Sequence, residues 1–223
     1  MKQIPILFST EMVPPIQKDI KLMTRRTNGL DKINEHPITY VFLGMETFSR
    51  QNFYCAKFKD TYDNKIIHIK CPYGKPGDVL WVREKFAYRD CDTSCHKVRI
   101  EYAASEGEKY YIFPKNSMRI LSVPLGSEKK WMPNIHMPKD ACRIFLEITS
   151  IRVERLQDIS EEDAISEGVD QVDYVNVPKD GIKYNTPTYR QAFRTLWMKI
   201  NGPESWNSNP WVWIVSFKSI EKP

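Results

Sequence analysis

Two segments of this 223-residue chain constrain its fold more than any other feature, because both follow the period of a β-strand. In residues 143–153, apolar side chains mostly alternate with polar ones. In residues 211–217, the side chains of Trp211, Trp213 and Val215 point to one face, and those of the residues between them point to the other. These two segments predict that a β-sheet forms the framework of the protein.

Further strand candidates lie in the first half of the chain. Residues 53–59 and 66–70 flank a polar turn and predict a β-hairpin. Residues 79–82 are consecutive apolar residues, which is typical of a buried strand. Additional candidates are residues 39–43, 98–103 and 110–113.

Three segments predict helices around this sheet. Residues 11–20 carry two prolines where the first turn of a helix tolerates them. Residues 160–167 begin with a Ser-x-x-Asp capping box. A third helix is predicted to have Thr186 as its cap and Pro187 as its first residue. The order of elements predicts an α+β fold with a mainly antiparallel sheet or barrel, and not a doubly wound parallel sheet.

The composition is that of a globular protein, with 41% hydrophobic and 27% charged residues. We expect one domain over residues 1–223, in which the irregular, proline-containing residues 88–138 form an insertion or lid. The net charge of +5 permits binding to nucleic acid but does not require it. The first residues do not resemble a signal peptide and no apolar run is long enough to span a membrane, so we expect a cytoplasmic protein without membrane contact.

The cysteines predict thiols and no metal centre. Their number, five, is odd, which favours reduced thiols in a chain of this kind. Cys91, Cys95 and His96 are close in sequence, but their spacing is not that of a zinc knuckle and no matched pair follows. We therefore interpret them as part of a polar loop, and we predict no cofactor.

Lys21 and Thr24 are the first candidates for chemistry. They are three residues apart and share one side if the preceding helical turn continues. An amine beside a hydroxyl can activate a weak nucleophile when the amine is desolvated. The alternative is that Lys21 belongs with Arg25 and Arg26 to a solvated basic surface.

Glu167 is a second candidate, because it lies in the last turn of a predicted helix. A carboxylate is unfavourable there, since the helix dipole is already negative, and such a group suits proton transfer. The alternative is a solvated glutamate without a role.

Trp131 and His136 lie in loop-like segments and are candidates for contact with a ligand, although a structural role for His136 stays open.

Four segments together resemble the ASCH family, a branch of the PUA-like superfamily. They are Lys-Leu-Met-Thr-Arg-Arg at 21–26, Gly-Asp-Val-Leu-Trp-Val-Arg-Glu at 77–84, residues 156–168, and the closing residues 209–217. The segment Pro-Asn-Ile-His-Met-Pro at 133–138 is similar to that of a phage or prophage subgroup with long insertions. The resemblance implies a small PUA-like, mainly antiparallel β-barrel with flanking helices, and a cleft that handles RNA or a modified nucleoside.

The resemblance also implies roles for the candidate residues. A small bacterial member of the family is an amidohydrolase that removes the acyl group from acetylcytidine, and its lysine, threonine and glutamate match Lys21, Thr24 and Glu167. In that mechanism Lys21 is the base, Thr24 attacks the amide carbonyl, and Glu167 shuttles protons to the leaving amine. Arg26 matches a family arginine that can hold a phosphate or a carbonyl oxygen, and we predict that Arg25 beside it also contacts the ligand. Other members are reported to be ribonucleases.

The chain departs from the family pattern next to Lys21. The usual Gly-x-Lys-Thr is replaced by Asp-Ile-Lys-Leu at residues 19–22. The lost glycine changes how closely a ligand or backbone can approach, and Asp19 can pair with Lys21 and keep it protonated. Three functions therefore stay open at this point: a binding module for RNA or a modified base, an enzyme that deacylates a cytidine or cuts RNA, and a phage structural or interaction protein that uses residues 88–138 as its interface.

Overall fold

The computed structural model describes residues 1–48, 53–92, 97–104, 108–112, 131–170 and 188–223. These residues form α-helices and β-strands in a mixed α+β fold, and most of the strand pairs are antiparallel. The helices are α1 (Val13–Gln17), α2 (Asp31–Asn34), α3 (Glu161–Ser166) and α4 (Tyr189–Asn201). The strands are β1 (Gln3–Leu7), β2 (Met23–Arg26), β3 (Tyr40–Phe48), β4 (Phe53–Asp60), β5 (Ile66–Lys70), β6 (Val79–Arg83), β7 (Phe86–Asp92), β8 (Lys97–Tyr102), β9 (Glu108–Ile112), β10 (Phe145–Arg155) and β11 (Trp211–Ile220).

The central sheet has the strand order β1-β6-β10-β11-β2. Only the pairing of β1 with β6 is parallel within this sheet, and the long antiparallel pair of β10 and β11 forms its middle. The other described strands form two sheets of three, β3-β4-β5 and β7-β8-β9, and the described residues contain no closed barrel. The predicted α+β class with mainly antiparallel pairing is therefore confirmed.

Both faces of the central sheet are buried, because different elements cover each side. Trp213 and Val215 of β11 pack in one cluster with residues of β1, β6 and β10. Val212 and Ile214 of the same strand pack in a second cluster with Phe193 and other residues of α4. A strand buried on both faces needs apolar residues at successive positions, which explains the nearly continuous apolar sequence of β11.

The two smaller sheets attach to different parts of this core. Ala56 and Phe58 of β4 join the first cluster. A third cluster joins Phe86 and Tyr102, from β7 and β8, to Phe145 of the central sheet. Residues 88–138 thus contribute β8 and β9 to the third sheet, near the predicted strands 98–103 and 110–113, although Phe113 lies outside the described residues. They also contribute most of β7, which the sequence did not predict.

The predicted start of the third helix is wrong. Thr188 is the N-cap of α4: its hydroxyl accepts a hydrogen bond from the backbone of Gln191, whose side chain accepts one from the backbone of Thr188. This reciprocal capping box satisfies two backbone N–H groups. Thr186 and Pro187 precede it and lie outside the described residues.

The first helix is shorter than the predicted residues 11–20. A 3-10 turn at Thr10–Met12 leads into α1, and the chain then turns at Asp19, whose φ of 53° lies in the left-handed region. Sequence patterns also missed β1 and β2. Pro5 and the short length of β1 hide its strand character, because proline lacks the N–H that a strand ladder uses.

The described residues contain no helix that is both long and apolar enough to cross a bilayer. Cys55, Cys71 and Cys142 are free, buried thiols, as expected for reduced cysteines. Burial raises the pKa of the Cys71 thiol to about 12 and that of the Cys142 thiol to about 11. These thiols therefore remain protonated near neutral pH and belong to the core.

Candidate functional site

A cavity of about 190 Å³ opens beside β2, the edge strand of the central sheet. It is somewhat larger than the ~150 Å³ that accepts benzene, and smaller than the ~300–1,000 Å³ of sites for drug-sized ligands. Its size therefore suits one base-sized ring. The lining includes Phe8, Ser9, Met12, Lys21, Thr24, Arg25, Arg26, Thr27, Asn28, Glu167, Phe193, Leu196, Trp197, Ile200 and Asn201.

Lys21 reaches the cavity from the turn between α1 and β2. Its backbone N–H donates to the carbonyl oxygen of Pro15, and the next residue, Leu22, donates to the carbonyl oxygen of Ser166 at the end of α3. Thr24 lies on β2, in register with Val215 of β11. Helical spacing between Lys21 and Thr24, as predicted from the sequence, is therefore wrong. A turn and a strand place both at the cavity, because pairing with β11 makes the second segment extended.

Glu167 enters from the C-terminal end of α3, as predicted. The hydroxyl of Ser160 caps the start of this helix by accepting from the backbone N–H of Asp163. Gly168 follows with a φ of 76°, and a Cβ atom at this position would lie 2.8 Å from the Cβ atom of Lys21. The missing side chain thus allows the helix end to approach the Lys21 backbone closely.

The ammonium of Lys21 is held by Glu167 alone among the described residues. Its Nζ atom lies 2.7 Å from Oε2 of the carboxylate and 2.7 Å from the backbone carbonyl oxygen of Glu167. Lys21 is only 3% exposed, as is Glu167. Asp19 is exposed and takes no part in this contact, so the alternative pairing of Lys21 with Asp19 is wrong. The left-handed turn at Asp19 directs Lys21 inward instead.

Burial makes Lys21 a weaker base than an ordinary lysine. Desolvation lowers its pKa from the usual 10.5, and the carboxylate of Glu167 opposes this effect by attraction and hydrogen bonding. The nearby charges of Arg26 and Arg25 lower the pKa further. A lysine in this environment loses its proton more readily, which is the state that a general base needs.

Arg25 binds carboxylates of the protein and positions Glu167. Its Nη1 atom lies 3.3 Å from Oε1 of Glu167, and its Nη2 atom hydrogen-bonds to Asp163. The guanidinium also lies over the ring of Phe193, 5.7 Å from the centroid. Arg152 shares Asp163 with Arg25. The charge of Arg25, predicted from sequence to bind a ligand, is thus largely used within the protein.

Arg26 is placed differently, because alternation along β2 turns it to the opposite face of the sheet from Arg25. It lies over the ring of Phe8 at 5.1 Å and donates to the carbonyl oxygen of Leu7. No carboxylate of the described residues lies within ion-pair distance of Arg26. Thr24 faces the same side as Arg26, and its hydroxyl makes no hydrogen bond within the described part of the chain. These two groups are therefore available to a ligand.

Sequence reasoning missed the apolar wall of the cavity. Phe193, Leu196 and Trp197 of α4 form it, together with Phe8, which follows β1. The only sequence signal was the helical stripe of apolar residues in α4, which also describes an ordinary core-facing helix. An apolar wall excludes water and offers ring faces to a planar ligand.

Trp131 and His136 do not line this cavity. His136 is exposed at the end of a 3-10 helix, Asn134–His136. The neighbouring Asn134 donates a hydrogen bond of 3.1 Å to the carbonyl oxygen of Phe8, a residue of the cavity wall. This segment therefore supports the cavity from outside, and the predicted ligand contacts of Trp131 and His136 stay predictions.

No metal centre is formed by the residues that the structure describes, since none of their His, Cys, Asp and Glu side chains cluster in threes around a possible ion. Cys91 lies in strand β7, so the predicted polar loop is wrong at this position. Cys95 and His96 lie outside the described residues, and their interpretation stays a prediction. Comparison of the chain with protein-family models, with curated proteins and with solved structures found no match.

The lowered pKa of Lys21 predicts how stability depends on pH. Between this pKa and 10.5, the unfolded chain binds more protons at Lys21 than the folded protein. The free energy of unfolding therefore rises with pH in this window, by up to about 1.4 kcal/mol per pH unit. We expect the free energy of unfolding in urea to rise more steeply from pH 7 to 10 for the wild type than for Lys21→Met. Exposed Lys18 provides the control, since Lys18→Met should keep the wild-type slope. Identical slopes for all three proteins would contradict the prediction.

Proposed function

We propose that this chain is a protein of the ASCH type, with a PUA-like fold, whose cavity binds a nucleoside acylated on its exocyclic amine and hydrolyses that amide. One observation carries the proposal. Lys21, Thr24 and Glu167, the residues to which the resemblance assigns catalytic roles, line one cavity of base size. The buried contact between Lys21 and Glu167 joins residues 146 positions apart in the sequence. A chance similarity of short motifs would give no reason for such distant residues to meet.

The backbone next to Lys21 is compatible with this reading. The family pattern has glycine where this chain has Asp19, and Asp19 adopts a φ of 53°, a conformation that glycine favours. Aspartate is one of the few other residues that enters the left-handed region readily. The departure therefore preserves the turn that directs Lys21 into the protein.

In the proposed reaction, the oxygen of Thr24 bonds to the amide carbonyl carbon while neutral Lys21 accepts the hydroxyl proton. The proton then crosses the Lys21–Glu167 hydrogen bond to the leaving nitrogen, the carbon–nitrogen bond breaks, and the free amine departs. Water next attacks the acyl carbon of the ester on Thr24 and gives a proton to Lys21. The bond between this carbon and the Thr24 oxygen then breaks, Lys21 returns the proton to that oxygen, and the carboxylic acid is released. The proposed mechanism requires Thr24 to approach Lys21 when the ligand binds, as catalytic hydrogen bonds commonly tighten only in the complex.

The surroundings support the same reaction. Arg26 is an available hydrogen-bond donor for the carbonyl oxygen, which becomes negatively charged when Thr24 attacks. The rings of Phe8, Phe193 and Trp197 line the cavity, where Arg26 lies over Phe8 and Arg25 over Phe193. The apolar wall also favours the neutral amine of Lys21.

Hydrolysis of N4-acetylcytidine, followed by chromatography of the released cytidine, tests the proposal. We expect turnover by the wild type and a loss of about a thousandfold or more in Thr24→Val, which removes the nucleophile and keeps the shape. Thr195→Val is the matched control, since Thr195 is exposed on α4 and, within the described parts of the chain, its hydroxyl hydrogen-bonds only to the backbone of Gln191.

Other outcomes separate the alternatives. Calorimetric binding of the nucleoside without turnover would leave a binding module and reject the hydrolase. Cleavage of labelled RNA that is lost in Thr24→Val would favour a ribonuclease. If the wild type neither binds nor hydrolyses the nucleoside, the assignment of the cavity fails.

A further inference from the structure

The outer face of the sheet β3-β4-β5 carries a second set of residues that suits ligand binding. Ala56 and Phe58 of β4 point into the core, so alternation directs Phe53, Lys57 and Lys59 to the opposite face. The strand register adds residues of the neighbouring strands to this outer face: Val41, Glu46 and Phe48 of β3, and Ile66, His68 and Lys70 of β5. None of these residues lines the cavity described above.

Aromatic rings occupy one end of this outer face. Phe48 and Phe53 are cross-strand partners whose ring centroids are 5.3 Å apart, with an angle of 23° between the ring planes. The ring of His68 lies 4.9 Å from Phe48, and the ammonium of Lys70 lies 5.9 Å from the centre of Phe53. All three rings are only partly buried. Rings left partly open on a sheet, with a cation beside them, form a platform on which bases can stack.

The charges of the outer face are mainly positive. This face carries one acidic residue, Glu46, and three lysines, Lys57, Lys59 and Lys70. Glu46 is shared by Lys57, at 3.6 Å, and by His68, at 2.8 Å. Lys59 and Lys70 have no carboxylate partner within the described ranges of the chain. Their charges are therefore free to attract an anionic ligand.

We propose that this outer face binds single-stranded nucleic acid, with bases against Phe48 and Phe53 and phosphates near Lys59 and Lys70. An extended anionic chain fits this geometry. Lys59 and Lys70 lie on neighbouring strands of the sheet, and the aromatic rings lie at one end of the same face. Stacking and backbone attraction do not depend on base identity, so the binding is expected to tolerate many sequences. The proposal is independent of the reaction at the cavity and adds a second surface to it.

Binding of a fluorescent oligouridylate of about 12 nucleotides, within the ~4–16 that comparable surfaces cover, tests the proposal by anisotropy at several salt concentrations. On a single strand each neutralised phosphate contributes about −0.7 to the slope of log affinity against log salt. The double variant Lys59→Ala, Lys70→Ala is expected to bind more weakly and to lose about 1.4 of that slope. Phe53→Ala is expected to bind about tenfold more weakly, and Phe53→Tyr to retain the wild-type affinity.

Two controls make the result specific. Lys139→Ala removes one positive charge, half the change of the double variant, at an exposed site away from this sheet, and Thr24→Val changes the cavity alone; both should keep the wild-type affinity for the oligonucleotide. The proposal is overturned if the wild type does not bind, if the sheet variants bind as the wild type does, or if Lys139→Ala weakens binding as much as the double variant. Competition by polyglutamate as effective as that by unlabelled oligonucleotide would also overturn it, and would indicate an acidic protein as the partner.

Discussion

Replacing Glu167 by glutamine is expected to lower the free energy of unfolding by about 3 kcal/mol at neutral pH. The carboxylate is buried and accepts hydrogen bonds from Lys21 and Arg25. Removing one member of a buried ion pair costs about 3–5 kcal/mol, because the other charge is left without compensation. The expected loss of unfolding free energy is at the lower end of this range, because Lys21 can release its proton and Arg25 keeps its ion pair with Asp163. Urea unfolding measures the change.

The same variant is expected to reduce hydrolysis of the proposed substrate at least about a hundredfold, because the leaving nitrogen loses its proton donor. Glu162→Gln is the matched control: Glu162 is exposed in the first turn of the same helix, where hydrogen bonds lower the pKa of its carboxyl, so its replacement should lower stability far less than that of Glu167 and leave turnover unchanged. Equal stability of the two variants would show that the contact between Lys21 and Glu167 contributes little. Equal turnover would remove Glu167 from the proposed mechanism.

The second large effect is expected at Arg143, in a part of the protein away from the cavity. Glu84 is fully buried, and Arg143 binds both of its carboxylate oxygens at 2.7 Å, through Nε and Nη2. The guanidinium also lies 4.0 Å from the centre of the Tyr102 ring. Arg143→Met is expected to lower the free energy of unfolding by about 4 kcal/mol, since it leaves the Glu84 carboxylate buried without its cation. Thermal and urea unfolding both report this loss.

A double variant, Glu84→Met with Arg143→Met, separates charge from packing. Replacing both charges by apolar side chains of similar length removes the uncompensated carboxylate, and such replacements are often neutral or stabilising. We therefore expect the double variant to recover most of the stability that Arg143→Met loses. A double variant less stable than Arg143→Met would mean that packing around Glu84, and not its charge, determines the effect.

The elements that the sequence predicted correctly are those with short-range signals. Period-two alternation marked β10 and β11, and the turn between residues 60 and 66 marked the hairpin of β4 and β5. The Ser160 cap formed as expected. β1 and β2 were missed because each is short and owes its extended conformation to a distant partner: β1 pairs with β6 and β2 with β11.

In the candidate site, too, local patterns indicated single residues but not the long-range contacts between them. The local pattern indicated Glu167, because a carboxylate at a helix C-terminus is electrostatically unusual, and only the family resemblance placed Lys21 in the same cleft. The spacing of Lys21 and Thr24 suggested a helix where the structure has a turn and a strand. Arg25 was predicted to face a ligand, yet three carboxylates surround its guanidinium. Which arginine is available depends on the face of β2 that each occupies.

The amino-acid sequence by itself determined the α+β class, the long strands and the helix cap, because alternation and capping depend on residues a few positions apart. Only the tertiary structure decided that Lys21 meets Glu167 and not Asp19, that Arg25 is neutralised while Arg26 is not, and that α4 closes one side of the cavity. The physical reason is that these contacts follow from the pairing of β2 with β11 and from the approach of the end of α3 to the turn before β2. Residues more than a hundred positions apart meet there, and no local pattern records which of them will do so.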